Sequence, residues 1–209
     1  MSTEAKILND KKLKYVLLNM VDILKCSNSL LKDSYRMLLT KDNNEFSFIH
    51  RCEFLRKTQS AFFKLGVIEL CKLFGNRRTN HFSFYKMESV FPEANEANIS
   101  TMKSLKEIEV VKKIKFLEEL RNQHFAHTDL HIEYENIKGK RSIYEIKFYF
   151  DDAFYLINLA EAIILELYEK LQQKKIHKII NKEIDAEIFL TTQLELLEKV
   201  SKYSIQSHK

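Results

Sequence analysis

Only three glycines and one proline occur in this chain of 209 residues. Tight turns draw heavily on those two residue types, and a sandwich or barrel needs such turns at short, regular intervals. A many-stranded fold is therefore excluded, and long helices with few connections remain. Leu, Ile, Lys and Glu dominate the composition, the types that lose least in helical geometry or best fill a helical core. The expected fold class is all-α: an up-down helical bundle of five to six helices, forming one domain over 1–209.

The apolar spacing supports this reading. Leu13, Val16, Leu17, Met20, Val21 and Leu24 recur at helical intervals, placing a first helix from about Ala5 to Leu39, with a kink possible at Ser27-Asn28-Ser29. The polar run Thr40 to Glu45 reads as a loop. A second long helix is expected from Phe46 to Phe74, with Phe54, Leu55, Phe62, Leu65, Ile68 and Leu73 on its buried face and Gly75 as C-cap. GNRRTNH reads as a loop and SFYKMESVF as a short helix stopped before Pro92. Ser100 or Thr101 caps a helix that runs into RNQHFAH. Beyond it, HIEYE and SIYEIKFYF alternate with period two around NIKGKR, which predicts a small β-hairpin within 131–150. Asp151 or Asp152 then caps another helix to about Leu171, and a last helix covers roughly Lys182 to Lys202.

Net charge is +5 with histidine neutral, which suits a polyanionic partner without the single-sign excess of a constitutive nucleic-acid binder. Cys26, Cys52 and Cys71 are odd in number and show no CxxC spacing, so they read as small core residues in a reducing compartment. No stretch of about 18 uncharged apolar residues is present, and the first residues lack an apolar export signal. The expectation is a cytoplasmic protein that does not span a membrane.

The segment with chemistry in it is Leu120 to Asp129, LRNQHFAHTD, at the end of an amphipathic helix. Arg121 keeps its charge at any physiological pH and can hold a phosphate with two parallel hydrogen bonds. His127 can move a proton near neutrality. Asn122 can orient either partner or a water. RNA cut by its own 2′-hydroxyl needs little more: a base for that hydroxyl, a fixed cation for the phosphorus oxygens and an acid for the leaving oxygen. No metal or cofactor is required.

Arg121-Asn122, four intervening residues and His127 resemble the R-x4–6-H signature of the HEPN (higher eukaryotes and prokaryotes nucleotide-binding) superfamily. The AHTD ending, and LGVIELCKLFGN followed by FSFYKMESVF, look like its abortive-infection branch. The resemblance covers roughly Phe46 to Leu171. It implies a helical bundle that dimerises through the motif helices and joins two Arg-His pairs in one cleft. It further implies metal-independent endoribonuclease activity in a toxin–antitoxin or phage-defence setting, with RNA and a cognate antitoxin protein as partners. Other members only bind RNA, nucleotide or a partner protein. By position, Arg121, Asn122 and His127 match the motif. His124 falls in its variable stretch and is assigned to substrate binding on its chemistry alone, as are Arg77 and Arg78 of the GNRRTNH loop.

Blander readings stand beside these. Arg121 could pair with Glu118 or Asp129, and His127 could simply favour the helix dipole. Arg77, Arg78 and His81, like Lys138, Lys140 and Arg141, could be solvated turns. Phe148, Tyr149, Phe150 and Tyr155 are read as core before base-stacking platform. His124, His127 and His131 with Asp129 offer a metal-dependent alternative, though no HExxH-type spacing accompanies them. Arg121 and His127 also stand roughly 120° apart on an ideal helix at about 100° per residue. One subunit would therefore make a poor site, and a partner's motif is needed to complete it.

Overall fold

The computed structural model describes residues 3–40, 43–75, 82–95, 98–125, 143–172 and 178–179. Every element among them is helical. Helix α1 spans Thr3–Leu38, α2 Asn43–Arg51, α3 Glu53–Phe74 and α4 Phe84–Val90. A 3-10 helix, Ser100–Lys106, leads into α5, Ile108–Glu119, whose end widens into a single π turn, Leu120–Phe125. Helix α6 spans Ile143–Gln172.

Helix α1 lies against α3 and α6, and both run antiparallel to it. Along α3, Ser27 donates to the Gly66 carbonyl at 2.8 Å and Ser34 to the Gln59 carbonyl at 2.9 Å, so numbering rises on one helix as it falls on the other. Against α6, the Tyr35 ring lies 5.0 Å from Phe150 and 5.6 Å from Phe154. Phe150 also meets Phe63 of α3 at 4.8 Å, which joins three helices around one aromatic centre. Offset and tilted ring pairs of this kind add to the stabilisation that burial alone provides. Leu13, Leu17, Met20 and Leu24 are all buried, as their spacing requires.

The α1–α3 approach is close because position 66 has no side chain. A Cβ there would come within 2.7 Å of Leu31 Cγ, and Leu31 is itself fully buried. Gly66→Ala should therefore cost about 1–3 kcal/mol by overpacking, despite alanine's better helix propensity. Urea denaturation of the variant checks this, and equal stability would show that Leu31 can turn aside at no cost.

Helix α5 is placed by α6. Glu166 accepts from the backbone N–H and hydroxyl of both Ser100 and Thr101, four bonds of 2.7–2.9 Å that satisfy the open donors of the 3-10 helix. Further along, Lys113 pairs with Asp152 and lies 5.5 Å from the Tyr155 ring. Partial burial would raise the Glu166 carboxyl, but the four donors outweigh it and hold the group at about 2, against an ordinary 4.5. A depressed carboxylate stabilises the fold above its unfolded value, and that contribution is lost as pH falls through the folded one. Stability should thus decline between about pH 4.5 and pH 2, by roughly 1 kcal/mol after solvent screening. Acid titration of Glu166→Gln should lack that share of the decline.

Several sequence expectations are corrected. The anticipated helix from Phe46 to Phe74 is two helices broken at Cys52, whose extended backbone (φ −89°, ψ 102°) ends the helical path for one residue. The loop read over Thr40 to Glu45 gives way to α2 from Asn43. Phe54 and Leu65, assigned to a buried face, are 70% and 48% exposed. Cys71 is buried as expected, while Cys26 is exposed. Ser27 to Ser29 do not split α1, because Ser27 satisfies its hydroxyl on α3 instead of on its own helix.

The second arm of the expected hairpin, from Ser142 to Phe150, is overturned. Residues from Ile143 onward belong to α6, and Asp151 and Asp152 lie inside that helix, not at its cap. Ile143, Ile146 and Phe150 also satisfy the i, i+3, i+7 helical template, and no glycine or proline separates them from the apolar run beyond. The first arm and its turn lie outside the described residues, as does the helix expected from Lys182 to Lys202. Among the described residues, no helix is long and apolar enough to cross a membrane.

Candidate active site

Arg121 and Asn122 stand side by side in the π turn that ends α5. At its start the Leu120 N–H is shared between the Phe116 carbonyl, its α-helical acceptor, and the Leu117 carbonyl one residue nearer. The Leu117 carbonyl also accepts from the buried thiol of Cys71 on α3, at 3.6 Å. A thiol is a weak donor, but here it lies at the joint between the two helical forms.

A π turn closes its hydrogen bonds at i+5 and holds more residues per turn than an α-helix, so its angular step falls below about 100°. Consecutive side chains on an α-helix do not face each other. Arg121 and Asn122 nonetheless hydrogen-bond here. Asn122 Oδ1 accepts from Arg121 Nε at 3.2 Å and from Nη2 at 3.1 Å. Both residues are partly buried. Among the described residues Arg121 has no carboxylate partner, so it is not the helix-end ion pair with Glu118 that the sequence also allowed. Single π turns interrupt α-helices often at functional sites.

His124 lies within the π turn by its backbone. His127, Arg77 and Arg78 lie outside the described residues, as do Asp129, His131, Lys138, Lys140 and Arg141. Among the described residues, no group of three or more His, Cys, Asp or Glu is arranged to hold a metal. Phe150 is a core residue, as expected, whereas Tyr155 is 44% exposed beside Lys113.

Two residues near the site were not visible in the motif. Cys71 reads in the sequence only as a small core side chain; its place under the α5–π joint follows from the pairing of α3 with α5. Tyr85 of α4 lies near the same helix. Its phenol is pushed up by burial and then by the charge of Glu118, with Lys106 opposing. Neither residue carries a linear signal, because each comes to α5 from a different element.

No family model, curated protein sequence or solved structure matches this chain.

Proposed function

We propose that this chain is a metal-independent endoribonuclease of the HEPN type, acting as a homodimer in a toxin or phage-defence role. The observation that carries the reading is Arg121, held by Asn122 in a π turn at the end of α5, without a carboxylate among the described residues to neutralise it. An oriented cation with no paired anion is suited to a phosphodiester. The Arg-Asn-x4-His spacing supplies the rest of the chemistry.

In this reading Arg121 stabilises charge on the non-bridging oxygens and His127 moves protons. The 2′-oxygen attacks phosphorus as its proton leaves to a base. The P–O5′ bond breaks, and an acid protonates the departing 5′-oxygen. The products are a 2′,3′-cyclic phosphate and a 5′-hydroxyl. DNA, which lacks the nucleophile, should be untouched. Two motifs in a dimer would provide separate histidines for the base and acid roles.

Incubation of the purified protein with RNA in excess EDTA tests the proposal, with light scattering on the same sample. Cleavage that persists under chelation, from a dimer, is the expected result. Cleavage abolished by chelation would point to a metal site instead. A folded protein that binds RNA but cuts none would identify a non-catalytic binding module.

A further inference from the structure

Arg121 presents five N–H donors in two usable edges: a side edge formed by Nε and Nη2, and an end edge formed by Nη1 and Nη2. In this structure the side edge is taken. Asn122 Oδ1 sits between Nε and Nη2 at 3.2 and 3.1 Å, where one oxygen of a side-on phosphate would otherwise lie. The pairing is between adjacent residues of the π turn, whereas neighbours on a regular α-helix do not face each other.

We infer that Asn122 is a positioning residue that holds the side edge of Arg121, so that an anion with two adjacent oxygens docks on the end edge, Nη1 and Nη2. This assignment rests on the phosphodiester reading above and refines it. The amide oxygen fixes the guanidinium plane without neutralising it, because a neutral carbonyl orients the cation and leaves its charge for the ligand. A carboxylate in the same place would hold the plane equally well and cancel the charge. The identity of residue 122 thus sets both the direction and the strength of the cation.

The test uses the full-length chain labelled with ¹⁵N, and inorganic phosphate as the probe. Side-chain resonances of Arg121 are followed at low temperature, assigned by their loss in Arg121→Lys. In the wild type, phosphate should shift the Nη resonances while the Nε–H signal, bonded to Asn122, stays in place. In Asn122→Ala the Nε–H signal should become the responsive one. Phosphate binding should weaken roughly tenfold, because the guanidinium plane is no longer held before the anion arrives. Asn122→Asp should bind phosphate more weakly still, although the plane stays held. A change that merely loosened the turn would not reverse the order of responding edges.

A wild-type Nε–H signal that moves with phosphate as far as Nη overturns the assignment. So does an Asn122→Ala chain that binds phosphate as tightly as wild type, or a wild-type Arg121 that does not respond at all. RNA cleavage is scored separately. A wild type that cuts no RNA yet shows the expected edge pattern would sink the nuclease reading and leave this one standing.

Discussion

Arg121→Ala and His127→Ala should each lose about two to four orders of magnitude in RNA cleavage rate while remaining folded and dimeric. Those are the usual scales for removing an electrostatic stabiliser or a general acid–base. The fold should survive loss of Arg121 because its only hydrogen-bonded partner among the described residues is its neighbour Asn122, and it takes no part in the buried core. His124→Ala should have a smaller effect if that residue only positions substrate. Single-turnover cleavage of a labelled RNA, with circular dichroism and light scattering on each variant, checks all three. A His127→Ala chain that cuts as fast as wild type would place the proton transfer elsewhere. An Arg121→Ala chain with full activity would remove the phosphate clamp from the proposal altogether.

A comparably large effect on stability is expected far from that site. Arg36, in the last turn of α1, is buried with Glu45, in the first turn of α2. Arg36 also donates from Nη1 to the Leu39 carbonyl at 2.9 Å. Removing one charge of a buried pair leaves the other in a low dielectric without that counter-charge. Glu45→Gln should therefore cost about 3–5 kcal/mol. At this chain length each kcal/mol lowers the melting temperature by roughly 2–4 °C. Replacing both residues together by Arg36→Met and Glu45→Leu should recover much of that loss, since the desolvation penalty disappears with the charges. Thermal denaturation of the single and double variants decides it. A Glu45→Gln protein as stable as wild type would mean that water reaches the pair.

This ion pair also shows why part of the fold was hidden in the sequence. Glu45 follows Asn43-Asn44 in a polar run, and polar runs usually lie in solvent. Its partner is nine residues back, on another helix, and no local pattern records that pairing. Helix α1 was legible because Leu13, Leu17, Met20 and Leu24 repeat a single face over several turns. The break at Cys52 was not, because an apolar stretch can be cut by one extended residue without any change in composition. Around the start of α6, nine residues of alternation fitted two templates, and only the long helical run that follows decides between them. The Arg121-Asn122 pair was legible as chemistry, since both residue types suit a phosphate site. The π turn in which they stand was not, for a hydrogen-bonding register leaves no residue signature.

Helix α5 is fastened along its whole length: by Glu166 ahead of its first turn, by Lys113 and Asp152 midway, and by the Cys71 thiol at its last carbonyls. These contacts fix where the helix lies against α3 and α6. The freedom left to Arg121 is torsion within one widened turn and along its own side chain, and Asn122 removes part of the second. The entropy of aiming the cation is thus lost during folding, before any ligand arrives, and binding need not supply it again. The cost of that arrangement is reach. Under the proposed function, a cation held this way can meet only a phosphate delivered to it, and the RNA must be brought to the turn.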